Sequence, residues 1–94
     1  MYVVYGTFVK PSSPDGCLAV ADQALRSQGQ TIVKGADGVD PLVIGGNDAV
    51  TLTIVAVPHP AGSWVVVSAS AADPGTAAQA RDVFRGMIET TPVP

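Results

Sequence analysis

Three segments of the chain alternate in a way that predicts β-strands, and neither side of any of them carries a charge. Within residues 50–57, one set of alternate positions is entirely apolar, whereas the other set combines threonine with valine. Residues 2–9 and 64–70 alternate similarly, without Lys, Arg, Asp or Glu. Because the side chains of a strand point alternately to the two faces of its sheet, both faces of this sheet are predicted to be uncharged there.

Two further segments have the spacing and the end signals of helices. A serine before Pro14 fits the N-cap of a first helix, with Asp15 in its first turn, and this helix is expected to end near Gly29. Asp73 and Pro74 start a second helix in the same way. Apolar residues recur at intervals of three and four along both segments, so one side of each helix is predicted to be buried. The predicted buried residues are Cys17, Leu18, Ala21, Ala24 and Leu25 in the first helix, and Ala77, Ala80, Val83, Phe84, Met87 and Ile88 in the second.

Two shorter strands and two hairpin turns complete the predicted elements. The β-branched content of residues 31–34 and 42–44 predicts the strands. Residues 45–48, Gly-Gly-Asn-Asp, are expected to supply the positive φ angles of a tight hairpin, and residues 58–63 form the next turn. Strands that are joined by such hairpins run antiparallel.

The predicted order is therefore β-α-β-β-β-β-α, which defines an α+β fold. We expect two layers, in which a mostly antiparallel five-stranded sheet carries both helices on one face. This order resembles that of the TBP-like (TATA-binding-protein-like) half-domains and is similar to the ferredoxin-like plait, a resemblance of architecture that implies no particular activity. Residues 1–91 are predicted to form a single domain, with a frayed C-terminal tail at residues 92–94.

The composition of the chain limits the classes of partner that we expect it to bind. Of the 94 residues, 47% are hydrophobic and only 14% are charged. A typical charged share is about 25%, so part of the surface is expected to be uncharged. The net charge is −3 and the five Lys and Arg residues are scattered, so we expect no nucleic-acid-binding surface. Apolar runs such as residues 54–57 are far shorter than the roughly 20 residues of a membrane span, so no membrane insertion is expected. Without a recognisable signal peptide, a cytoplasmic protein is the simplest expectation.

Cysteine and histidine occur once each, and neither lies in a pattern typical of catalysis or metal binding. Cys17 is predicted in the first turn of the first helix, where the helix dipole favours a thiolate, but a buried structural cysteine is the better interpretation. Nothing in the spacing brings His59 to it, as a Cys-His pair requires. Asp37, Asp40 and Asp48 do not have the spacing of a calcium loop. We therefore predict no catalytic residue, no metal site and no cofactor.

The uncharged sheet surface is the candidate functional feature, because a sheet face open to water normally carries charged side chains. Hydroxyl and aromatic groups without charges are typical of the middle of a protein interface. The leading hypothesis is a non-enzymatic interaction domain that forms a homodimer through this surface. The candidate binding or interface residues are Tyr5, Thr51, Thr53, Val55, Trp64, Val66 and Ser68.

Two other hypotheses stay open. One is a domain that binds a small apolar or aromatic ligand in a cleft between sheet and helices, lined by Tyr5 and Trp64. The other is an enzyme that uses Cys17. The sequence does not choose between them, because the register between strands decides which residues share a face, and a shift of one residue exchanges the faces.

Overall fold

Seven elements follow one another in the predicted order in the computed structural model, which describes residues 1–93. The α+β class and the two-layer arrangement are confirmed. The elements are β1 (Tyr2–Lys10), α1 (Pro14–Ser27), β2 (Thr31–Lys34), β3 (Leu42–Gly46), β4 (Val50–His59), β5 (Gly62–Ala71) and α2 (Pro74–Thr90).

All five strands form one antiparallel sheet with the order β1-β5-β4-β3-β2. The long strands β4 and β5 lie in the interior of the sheet, whereas β1 and the short β2 are its edges. Helix α1 packs on β3 and β4, and α2 packs on β1 and β5, on the same face. The opposite face carries no helix, and we call it the open face.

Both helices begin at the capping groups that the sequence indicated, and α1 also ends where it was expected to end. The Ser13 hydroxyl accepts a hydrogen bond from the Gly16 N–H at the start of α1, and the Asp73 carboxylate accepts one from the Thr76 N–H at the start of α2. Gly29, with φ +73°, ends α1 as a left-handed residue. Among residues 1–93, no helix has the length and hydropathy that crossing a membrane requires.

The core lies between the helices and the inner face of the sheet. The residues of β4 and β5 that point away from the open face are buried in this core. The side of α1 that was predicted to be buried is also buried. Val83 differs from the prediction, since 43% of it is exposed on the flank of α2. The largest fully buried apolar side chains are Leu25, Leu52, Ile54, Ile88, Val43, Val65 and Val67.

The hairpin between β3 and β4 is built differently from the prediction. Gly45 and Gly46 continue β3, and neither has a positive φ. The turn depends on Asn47 instead, whose side-chain oxygen accepts hydrogen bonds from the N–H groups of Ala49 (2.8 Å) and Val50 (2.9 Å). An Asx turn of this kind closes the chain without left-handed residues. At the other hairpin, β4 and β5 extend further than predicted, as far as His59 and Gly62.

Lys10, at the end of β1, is buried and ties this strand to the end of α2. Its ammonium group donates hydrogen bonds to the carbonyl oxygens of Ile88 (2.6 Å), Glu89 (3.4 Å) and Thr91. The last carbonyls of a helix lack partners within the helix and carry its negative dipole end, so a cation is stabilised there. The positive charge of Lys10 is thus compensated without a carboxylate.

The chain after α2 also contacts the core, although the sequence predicts a frayed tail at residues 92–94. Val93 is half-buried and packs against the core. It lies so close to Gly16 that a Cβ atom built on this glycine would be 2.7 Å from a Val93 methyl group. Pro94 lies outside the described residues.

We expect Lys10→Met to destabilise the domain by about 1–3 kcal/mol, because the carbonyls at the end of α2 lose a charged donor. Urea unfolding followed by circular dichroism measures this loss. Lys34→Met is the matched control, since Lys34 makes surface ion pairs, which are worth about 0–1 kcal/mol. Equal unfolding midpoints for the two variants would contradict the capping role of Lys10.

Candidate functional site: the uncharged open face

The strand pairing determines which side chains share the open face. All the candidate residues predicted from the sequence lie there, because the pairing of β1 with β5 and of β5 with β4 places their side chains on the same side of the sheet. The short strands β2 and β3 add residues that the sequence analysis did not assign to this face. None of its residues on β1, β3, β4 and β5 is charged, whereas on the edge strand β2 Lys34 pairs with Ile44 of this face. The residues of the face that carry no charge are Val3, Tyr5, Thr7 and Val9 on β1; Trp64, Val66, Ser68 and Ser70 on β5; Thr51, Thr53, Val55 and Val57 on β4; Leu42, Ile44 and Gly46 on β3; and Thr31 and Val33 on β2.

These side chains form rows across the sheet, and their chemistry changes from one end of the face to the other. The row at one end is rich in hydroxyl groups and consists of Val3, Ser70, Thr51, Gly46 and Thr31. The row at the opposite end is apolar. It consists of Val9, Trp64 and Val57.

Within residues 1–93, no element covers the aromatic side chains of this face. Trp64 is 49% exposed and Tyr5 is 68% exposed, although both lie in regular strands. Val3 and Val9 are exposed beside them. Exposed apolar side chains that lie together on one face of a monomeric soluble protein usually mark a site of interaction.

A depression lies in the hydroxyl-rich row, where Gly46 separates Thr31 from Thr51. We call it the Gly46 notch, a hollow of about 280 Å³ that is also lined by Asn47 and Asp48. A Cβ atom on Gly46 would lie 2.6 Å from the Val50 carbonyl oxygen. The close approach of β4 therefore requires glycine at position 46, and the missing side chain leaves the hollow.

Arg85 of α2 protects the outer edge of β1. Its Nε and Nη2 atoms donate hydrogen bonds to the Thr7 carbonyl oxygen, at 3.2 and 2.9 Å. Its aliphatic part crosses Gly6, and its guanidinium lies 5.4 Å from the centre of the Phe8 ring. An unpaired strand edge binds other strands, and a charged side chain across it opposes such pairing.

The β2 edge is also charged, and this arrangement accounts for two of the aspartates that were considered as calcium ligands. Lys34 follows an irregularity in the pairing of β2 with β3, and its ammonium group contacts the carboxylates of Asp37 (2.6 Å) and Asp40 (3.5 Å). The hydrogen bond from Lys34, together with those from the N–H groups of Val39 and Asp40, holds the pKa of the Asp37 carboxyl well below its usual range. Within residues 1–93, no three His, Cys, Asp or Glu side chains gather as a metal-binding group.

Cys17 and His59 make separate contacts. The thiol of Cys17 is fully buried beneath α1, with its sulfur 3.9 Å from the Ser12 carbonyl oxygen. The Nδ1 atom of His59 accepts a hydrogen bond from the Ala61 N–H in the turn between β4 and β5. Nothing in this geometry gives the thiol either a substrate or a base.

The structure separates the aromatic residues of the ligand hypothesis from the helices. Tyr5 and Trp64 lie on the open face and cannot line a cleft between sheet and helices. A cleft of about 240 Å³ does lie between α2, the segment after α1 and the turn that leads into β4, but its lining includes Gln30, Gln79 and Phe84 instead.

Comparison with known proteins adds no relative. No protein-family model matches the chain, and no curated protein matches it with significant similarity.

We expect the Cys17 thiol to react with a thiol reagent such as DTNB only as fast as the domain unfolds, because the native side chain is fully buried. The labelling rate, measured across a urea series, should rise together with unfolding measured by circular dichroism. Ala19→Cys provides the exposed reference on the same helix. Equally rapid labelling of native wild-type protein and of this variant would overturn the prediction and reopen the enzyme hypothesis.

Proposed function

We propose that this chain is a non-enzymatic interaction domain that forms a homodimer by packing two open faces together. The observation that carries the proposal is a face with exposed aromatic side chains that nothing within residues 1–93 covers, and to which β1, β3, β4 and β5 contribute no charge. Apolar surface removed from water contributes about 25 cal/mol per Å², so covering this face favours association. The mixture of aromatic, hydroxyl and β-branched groups is suited to the core of an interface.

The size of the face supports a second copy of the chain as its partner. The molecule measures 35 × 21 × 20 Å, and the sheet extends along its length. Strands of ten residues and a spacing of about 4.8 Å give a face of about 30 by 20 Å, or on the order of 600 Å². Two such faces bury about 1,200 Å² in total, which reaches the lower limit of standard protein interfaces.

The edges of the sheet favour packing by faces over extension of the sheet. A strand added beside β1 would have to displace Arg85 from the Thr7 carbonyl. On the other side, β2 has only four residues and ends at Lys34, which is engaged by Asp37. Short, irregular and charged edges are the features by which sheets avoid pairing with other strands.

Charge distribution is also compatible with this arrangement. Each chain carries a net charge of −3, so two copies repel each other unless they meet where charges are absent. Packing by the open faces keeps the charged residues of the helices, such as Asp22, Arg26 and Asp82, on the outside of the dimer. Asp48 lies at the rim of the face, where it lines the Gly46 notch.

We expect Thr53→Lys to convert the dimer into a folded monomer. Thr53 lies on the central strand β4, so the ammonium group would be buried in the middle of the interface, whereas water solvates it in the monomer. Light scattering coupled to size exclusion should show half the wild-type mass, with association at least about a hundredfold weaker. Circular dichroism should be unchanged.

Two matched variants serve as controls for this result. Leu52→Lys places the same charge one residue away in the core and should unfold the domain, because Leu52 is fully buried. Gln23→Lys places it on the exposed side of α1 and should leave the dimer intact. A Thr53→Lys variant with both wild-type mass and wild-type fold would contradict the proposal.

Native mass spectrometry of wild-type protein separates the proposal from ligand binding. The proposal requires twice the chain mass at micromolar concentration. A monomer at that concentration would refute it, and a monomer with a co-purified small molecule would support the ligand hypothesis instead.

A further inference from the structure

The open face carries one protruding group and one hollow, and they lie at opposite ends. Trp64 projects from β5 in the apolar row, and the Gly46 notch lies on β3 in the hydroxyl-rich row. Strand β4 lies between them and pairs with both strands. The protrusion and the hollow are thus on different sides of the central strand.

Their positions are symmetric about the middle of the face. Trp64 pairs with Val57 of β4, and Gly46 pairs with Thr51 of the same strand. The midpoint between those two β4 residues falls between Thr53 and Val55. Since β3 and β5 lie on either side of β4 at equal spacing, the line from Trp64 to the notch crosses the centre of the face there.

A two-fold axis fits this geometry. In a symmetric dimer the same surface is used twice, so that a contact from residue i to residue j recurs from j to i. We place the axis between the two open faces and parallel to them, so that it passes over the middle of β4. If the axis is also perpendicular to the line from Trp64 to the notch, each Trp64 lies opposite the notch of the other copy. The same axis places the centres of the two faces, around Thr53 and Val55, over each other.

We infer that Trp64 of each copy inserts into the Gly46 notch of the other, an inference that rests on the proposed homodimer. The notch has room for one aromatic side chain, between Thr31 and Thr51. Tryptophan seated in a desolvated pocket is the commonest type of residue that dominates the binding energy of an interface.

The polar end of the indole also has a partner in the notch. The indole N–H only donates, and it needs an acceptor when it is buried. Within residues 1–93, the carboxylate of Asp48 accepts no hydrogen bond that would compete, whereas the Asn47 oxygen already accepts two. The Asp48 carboxylate is therefore the acceptor assigned to the indole.

Trp64 is the only tryptophan of the chain, so its fluorescence reports on this contact directly. We expect wild-type protein at dimer concentrations to show blue-shifted emission and slow quenching by acrylamide. Both properties should change to those of an exposed tryptophan as dilution dissociates the dimer. The Thr53→Lys variant supplies the spectrum of the folded monomer.

Thr31→Phe tests the notch from the other side. Thr31 is exposed on the edge strand β2, where an aromatic residue is well tolerated, and the added ring fills the hollow. Dissociation constants from dilution should rise at least tenfold, and Trp64 should become accessible to acrylamide. Thr31→Val has nearly the shape of threonine and is the control, with wild-type affinity and quenching expected. Circular dichroism checks the fold of each variant.

The outcomes separate this inference from the proposed function. A dimer whose Trp64 is quenched as fast as that of the monomeric variant would overturn the inference and leave the homodimer standing. A dimer with protected Trp64 and unchanged affinity in Thr31→Phe would overturn it too, since the tryptophan would then be covered elsewhere. A wild-type monomer refutes both. The quenching measurement on wild-type protein tests the inference even if a variant fails to fold.

Discussion

The pairing of β4 with β5 is the constraint on which the rest of this structure depends. The two strands pair without interruption from Val50 with Ala71 to His59 with Gly62, and a turn of two residues joins them. A register shift of one residue would exchange the core face and the open face along both strands at once. The burial of Leu52, the exposure of Trp64 and the attachment of both outer strands all follow from this single alignment.

An asymmetry between the two faces results from that alignment. Two helices cover one face and enclose the core with it, and within residues 1–93 no further helix or strand covers the other face. Charged residues lie on the helices, in the loops and along the edges, where they are hydrated or paired. The open face is uncharged on β1, β3, β4 and β5 and is uncovered within residues 1–93, and burial of such a face against a partner removes its apolar groups from water.

Two cations, Lys10 at the end of β1 and Arg85 on α2 beside it, stabilise the fold and also affect how another chain can approach the sheet. Lys10 binds the end of α2 and Arg85 binds a carbonyl on the outer edge, so both connect the edge strand to the same helix. Neither ion contacts the open face. Their combined effect is to make edge pairing unfavourable while the apolar face is left available, which restricts how another chain approaches the sheet.

The sequence by itself determined the elements, the helix caps and the uncharged character of β1, β4 and β5, because strand periodicity and capping are local properties of a few neighbouring residues. Tertiary structure decided the rest. The short strands β2 and β3 have too few residues to reveal their register, so Leu42, Ile44 and the Gly46 notch joined the open face only through strand pairing. Lys10 and Arg85 each contact a group 78 positions away, and no local pattern encodes which distant atoms a fold brings together.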